Sequence, residues 1–308
     1  MSNPRIPYAL ALDNDLPPLR GKRLIVMLVV NVENWSFDRP MPRKVLTAPH
    51  GAEKVPDVPN YCWAEHGMRK GMARFLELFG RLNLPINVSI NASVIDSYPL
   101  LANAMLAADW EFIGHGMTQT IIEEGDAERE FLAACKARIE AFTGTPMRGW
   151  LSPGLRENPD TPDHLAELGV EYLFDWGLDD VPLPMTVKRG HLTALPYTLE
   201  INDSIVYAVE KHASGEMLER LERALAVYRT ECQHGTHILS IGLHPHLLGT
   251  AHRIGELTAM VERLAADENV TFAYAAQVQD WFNTAASPQA TASDLAPATD
   301  LSASGVSL

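Results

Sequence analysis

Seven consecutive apolar residues, Leu24-Ile25-Val26-Met27-Leu28-Val29-Val30, lead without a break into Asn31-Val32-Glu33-Asn34-Trp35. Four of the seven are β-branched and none is polar, so the run reads as a strand buried on both faces. A strand of that kind belongs to a parallel sheet covered by helices. Such a sheet delivers the residues after each strand to its carboxyl-end rim, where α/β folds carry their chemistry. Glu33 falls at that position, as a candidate catalytic carboxylate or as an ordinary acid at a strand end.

The rest of the chain alternates helix and strand. Met68, Met72, Phe75, Leu76 and Phe79 predict a helix over 64–82, followed by a short strand at 85–91. A helix at 98–108 precedes a strand at 110–113 that runs into Gly114-His115-Gly116. A helix at 126–143 leads to Arg148-Gly149-Trp150-Leu151-Ser152-Pro153, and a helix at 160–168 to a strand at 172–174 ending on Asp175-Trp176. Strand 195–199, helix 215–231, strand 236–243 with His244-Pro245-His246 at its end, helix 253–266 and strand 270–275 complete the series.

This alternation predicts an α/β fold with a parallel sheet and helices outside it. Packed into one catalytic domain, 23–284, the units suit a distorted (β/α) barrel of about seven parallel strands better than an open sheet. Residues 1–22 are expected to form an N-terminal arm on the surface. Residues 285–308, rich in Ala, Ser, Thr and Pro, are expected to be a flexible tail. The Pro-rich stretch 36–59 follows directly on Glu33 and is expected to be a wall or lid over the site.

Within its 308 residues the chain carries 25 Lys and Arg against 39 Asp and Glu, a net charge of −14. That balance argues against nucleic acid or an anionic membrane as partner. No stretch reads as a signal peptide or a transmembrane segment. Cys62, Cys135 and Cys232 are widely spaced and odd in number, so they form neither a disulfide framework nor a metal cluster. The expected compartment is a reducing cytoplasm, and the expected partner is a small-molecule substrate.

Glu33, His115, Asp175 and His244 each close a predicted strand, and Arg148 and Trp150 come from a fifth. Each alone has a structural reading; together at one sheet edge they read as a barrel active site. The residue types suit hydrolysis. A carboxylate can activate water, an arginine can hold it ionised, and a histidine can protonate a leaving nitrogen near neutrality. Gly114, Gly116 and Gly149 would permit close backbone approach and expose amide donors to an oxyanion. Trp35, Trp150 and Trp176 would wall a compact or planar substrate, or else pack the core.

Taken in order, these segments resemble the polysaccharide deacetylase superfamily. They are closest to its branch of metal-independent allantoinases and cyclic imide hydrolases. The resemblance spans roughly 22–284 and rests on Asn31-Val32-Glu33-Asn34, Gly114-His115-Gly116-Met117-Thr118-Gln119 and Arg148-Gly149-Trp150-Leu151-Ser152-Pro153. Asp175-Trp176 with Asp179-Asp180 and Leu243-His244-Pro245-His246 complete it, and 61–74 and 196–203 are also similar to the allantoinase-like branch. Metal-dependent members carry Asp-Asp at the first motif and His-x-x-x-His at the second, the second aspartate and both histidines holding the metal. Here the pair is Glu33-Asn34, the second histidine is Gln119, and only His115 survives as a ligand. Neutral amides are weak ligands for zinc.

The resemblance implies a hydrolase that opens a non-peptide C–N bond in a small cyclic imide, amide or ureide, with no metal or other cofactor. Glu33 is the expected general base, Arg148 its orienting cation and His244 the general acid, with His246 as the alternate. His115, Asn34 and Gln119 are expected to hold the carbonyl, with Trp35, Trp150, Asp175 and His246 as further substrate contacts. One alternative is a metal-dependent N-deacetylase of an amino sugar, with zinc or another divalent ion at Glu33, His115 and His244 or His246. The other is an inactive ligand-binding barrel. The same site would equally cleave an ester, and the branch implies a homo-oligomer.

Overall fold

The apolar run becomes β1 (Leu24–Val32), every residue of which is buried. In a computed structural model that describes residues 4–10, 14–125 and 127–285, β1 is the centre of the sheet. The remaining strands are β2 (Ile86–Ile90), β3 (Glu111–Gly114), β4 (Gly149–Trp150), β5 (Tyr172–Leu173), β6 (Leu183–Pro184), β7 (Thr193–Ala194), β8 (His237–Leu243) and β9 (Val270–Phe272). They lie in the order β6-β7-β5-β4-β3-β2-β1-β8, with β9 paired to the start of β1. Every pairing is parallel except β6 with β7.

The sheet curls on itself. Beyond β7 the chain crosses to β8, where Asn202 forms a bridge with Gly242 and Pro196 accepts a hydrogen bond from Ser240 Oγ. The expected distorted barrel is therefore the fold, with eight strands paired in parallel, β9 among them, and β6 as an antiparallel edge.

Two apolar layers follow from the period-two geometry of strands. Ile25, Met27 and Val29 point into the curl with Ile113, Leu151, Phe174, Tyr197 and Ile238. Val26, Leu28 and Val30 point outward against the helices, with Phe75, Phe79, Trp150, Leu239 and Ile241. The helices Met72–Leu82, Pro99–Ala107, Glu128–Thr143, Glu216–Glu231 and Ile254–Ala265 cover that outer face. None among the described residues is long and apolar enough to cross a membrane.

Three expectations change. The helix expected over 64–82 is Val58–His66, a π turn at Gly67–Gly71, then Met72–Leu82. Gly67 and Gly71 let that turn lie against the chain at 245–246: a side chain on either would strike the backbone of His246 or Pro245. Residues 195–199 are not a strand, because the chain there leaves β7 to cross the seam. A helix without a counterpart in the sequence reading, Ala275–Ala285, closes the amino-terminal end of the curl. There Asn87 Oδ1 accepts its first N–H at 2.7 Å.

The arm is fastened where it is described. Arg5 makes a bidentate pair with Asp163, both bonds 2.9 Å, and its carbonyl accepts the Thr186 N–H. The tail expected over 285–308 lies outside the described residues from 286 onward. All three cysteines are free thiols.

Candidate active site

Strand parity builds the site. Glu33 continues the inward series 25, 27, 29, 31 of β1. His115 continues Ile113 of β3, and His244 continues Ile238 and Ser240 of β8, all at the carboxyl-end rim. Glu33 is nearly buried, and both its oxygens are engaged: Gln119 Nε2 donates to Oε1 and Trp35 Nε1 to Oε2, each at 2.8 Å. Facing Oε1 stand His115 Nε2 at 3.8 Å and His244 Nε2 at 3.7 Å. Those gaps exceed a hydrogen bond.

Each imidazole is held from behind. His115 Nδ1 lies 2.6 Å from the Leu151 carbonyl, which can only accept, so the proton sits on Nδ1. His244 Nδ1 lies 2.6 Å from Asp203 Oδ1, and Asp203 Oδ2 accepts the His244 N–H at 2.7 Å. A carboxylate in that place fixes the ring's orientation and tautomer, as in serine hydrolases. Asp203 is fully buried and escaped the sequence reading.

The electrostatics separate the acids and bases. Burial works against ionisation of Glu33. The facing imidazoles of His115 and His244 outweigh it and hold the carboxylate well below its usual range. His246 is driven down to about 3, by burial first and then by the His244 charge, so it is neutral at any working pH. It packs edge-on against Trp35 and Trp63, centroids 5.2 and 4.6 Å away. Between the two histidines, His244 is the one with a carboxylate, Asp203, against its ring.

A cavity of about 130 Å³ opens over this group. Glu33, His115, Gln119 and His244 form its polar floor, with Leu151, Leu155, Leu199, Ile205 and Tyr197 as walls. Arg43, from the 36–59 stretch, lines it too, so that stretch is a wall of the site.

Several expected residues lie elsewhere. Arg148 precedes β4, at the opposite rim from Glu33, where it pairs with Glu171 and Asp280. It therefore does not orient the carboxylate. Trp150 has outward parity; it is fully buried among the helices, its Nε1 bonded to Ser152 Oγ. Asp175 Oδ1 accepts the Ser152 N–H at 2.8 Å, so it braces the turn behind the pocket and does not line it. Burial and the Asp175 charge push the neighbouring Glu157 up to about 8.

The Asn34 side chain turns away to Ser93 and Ser97, while its carbonyl accepts the Gln119 N–H. It positions Gln119, and Trp35 positions Glu33; neither lines the cavity. Asn91, unread in the sequence, joins them by donating to the His115 carbonyl and accepting the Asn34 N–H. Gly114 and Gly149 make room for the rings of Trp150 and Tyr172, not for an oxyanion.

These donors do not fit a metal centre of the deacetylase type. The Asn34 amide faces two serines, and the Gln119 amide donates its N–H to Glu33. Glu33 Oε1 lies 3.8 and 3.7 Å from the Nε2 atoms of His115 and His244, but the three ligand atoms do not all fall within 4.8 Å of one another. Ligand atoms around a tetrahedral zinc sit roughly 3.5 Å apart. Among the described residues the one trio whose ligand atoms all fall within 4.8 Å of one another is Asp180, Glu231 and His237, at the start of β8.

Comparison with known proteins bears on the fold and the reaction class. No family model matches the chain. A Schizosaccharomyces pombe protein named "Putative polysaccharide deacetylase" is 27% identical over 239 residues, 70% of this chain and 74% of that one. The crystal structure of Puue allantoinase superposes with a TM-score of 0.75 at 25% identity, covering 85% of this chain and 91% of that chain. A probable polysaccharide deacetylase from Pseudomonas aeruginosa PAO1 gives 0.77 at 25% identity, covering 88% and 95%. The chain is thus similar to polysaccharide deacetylases and to an allantoinase, the group that its sequence motifs resemble.

Proposed function

We propose that this protein opens a non-peptide C–N bond in a small cyclic imide, amide or ureide, using a water held between Glu33 and the His244–Asp203 pair. Hydrolysis of C–N bonds outside peptides is the reaction class of its relatives. The observation that carries the reading is the separation of Glu33 Oε1 from two imidazole Nε2 atoms, 3.8 and 3.7 Å. Each gap is too long for a direct hydrogen bond, so the three polar atoms converge on the cavity without satisfying one another and are open to a water or a substrate there.

In this reading Glu33 takes a proton as the water attacks the carbonyl carbon. His244, protonated on Nε2, gives its proton to the departing nitrogen. Glu33 then returns its proton to Nε2 through the next water. The water's oxygen ends on the acyl carbon and one of its protons replaces the ring bond on nitrogen. Glu33 is a weak base, being held deep in its ionised form, so the proton does not rest there; Asp203 gives the protonated ring a counter-ion in contact. The nitrogen of an imide or ureide departs more readily than that of an acetamide. The second N–H of Gln119, whose first goes to Glu33, is then the donor that polarises the carbonyl. A cavity of about 130 Å³ suits one small ring.

The test is elemental analysis of purified protein together with hydrolysis of a panel of cyclic imides and ureides, with and without chelator. Ring opening by metal-free protein is expected. One zinc per chain with activity lost in chelator would overturn the proposal in favour of a metal-dependent deacetylase.

A further inference from the structure

The stretch 36–59 carries a cation into a site that otherwise offers one carboxylate and two imidazoles. Arg43 lines the cavity beside Glu33, His115 and His244. It is held there from both sides. Met41 is buried in a cluster with Trp35, Tyr61 and Trp63. Two residues past Arg43, the N–H groups of Val45 and Leu46 both donate to Asn60 Oδ1 at 2.9 Å, and Asn60 Nδ2 donates back to the Leu46 carbonyl. Asn60 is itself 1% exposed. The neighbouring Lys44 is paired with Glu53, whereas Arg43 has no carboxylate within ion-pair distance among the described residues.

Arg43 is half-buried on a backbone fixed at both sides, and its guanidinium has no carboxylate paired to it among the described residues, so its fork of donors is open to a ligand in the cavity. Its charge bears on His246 and helps to keep that ring neutral. The cavity therefore carries a cation on its wall as well as the Glu33 carboxylate.

Resting on the hydrolytic reading above, we propose that the substrate is anionic: a small cyclic amide, imide or ureide that bears a carboxylate. Arg43 takes that carboxylate through its forked N–H donors, and the scissile carbonyl lies over Glu33 and His244. Arginine presents parallel donors that match a carboxylate's two oxygens, which fixes the ring's orientation as well as its sign of charge.

The experiment uses matched rings with and without the acid group, hydantoin against hydantoin-5-acetate and dihydrouracil against its 6-carboxylate. Wild-type protein should favour the carboxylate member by roughly tenfold or more in kcat/KM, the scale of a hydrogen-bonded charge pair. Arg43→Gln should lower kcat/KM for the carboxylate member roughly 10- to 100-fold, mostly through KM, and at least tenfold more than for the neutral member. Arg43→Lys should recover part of the loss. Raising the salt should raise KM for the acid member only. Equal losses on both members would make Arg43 a plain wall and overturn the proposal. If no ring is opened by wild-type protein, the hydrolytic reading fails instead. Calorimetric binding of the same pairs to wild type and Arg43→Gln then decides the anion preference alone, equal affinities overturning it.

Discussion

Asp203 grips His244 at two points, Oδ1 at 2.6 Å from the ring Nδ1 and Oδ2 at 2.7 Å from the backbone nitrogen. One carboxylate thus sets both the place of the histidine and the tautomer it presents to Glu33. Replacing it by Asp203→Asn keeps the size but allows the ring to turn over its protons. On the precedent of serine hydrolases the loss in kcat is about 10³–10⁴-fold. Steady-state kinetics check this, with circular dichroism to confirm the fold; a loss below tenfold would remove Asp203 from the site.

Glu33 has a folded-state pKa below its ordinary value of 4.5, so folding favours its ionised form. The sign follows directly. The stability it lends is complete above the ordinary range and is lost only as pH falls below it. Its carboxyl ¹³C signal, assigned by its loss in Glu33→Gln, should stay flat from pH 4.5 to 8. A titration step inside that window would contradict the electrostatics described. Glu33→Gln itself should cut kcat about 10²–10⁴-fold.

Arg148→Ala tests the two rims against each other. Its pairs with Glu171 and Asp280 are partly exposed, so the substitution should cost about 1 kcal/mol and lower the melting temperature by roughly 2 °C. kcat/KM should stay within about twofold. A hundredfold loss would restore Arg148 to the chemistry.

The arm answers to acid. Asp163 is held at about 2, first by its hydrogen bond from Arg5, against an ordinary 3.8. A depressed carboxylate stabilises above its unfolded pKa, so this contribution, roughly 1–2 kcal/mol, should fade between about pH 4 and 2. Denaturant melts of wild type and Arg5→Ala should differ at neutral pH and converge toward pH 2. A constant difference across that range would assign the clamp to packing.

Much of this was legible in the chain. The inward parity that places Ile25, Met27 and Val29 inside the curl also places Glu33 there, and the same count places His115 and His244. Applied to β4, it sends Trp150 outward and leaves Arg148 at the start of a strand, on the wrong rim. Reading 148–153 as one motif hid the two-residue strand inside it. Asp203 was not legible as a partner of His244, because 41 residues separate them and only the seam between Asn202 and Gly242 brings them together. Gly67 and Gly71 carried a signal in their four-residue spacing, but what they clear a path for lies at 245–246, far along the chain.

The two anchors of the 36–59 stretch divide labour within the molecule. Barrel strands carry Glu33, His115 and His244, whereas the stretch that brings Arg43 is fastened to the helix Val58–His66 by Asn60. Sequence between those anchors can drift without moving any reacting atom. On the reading proposed above, substrate preference can change through that one segment while Glu33, His115 and His244 stay where β1, β3 and β8 put them.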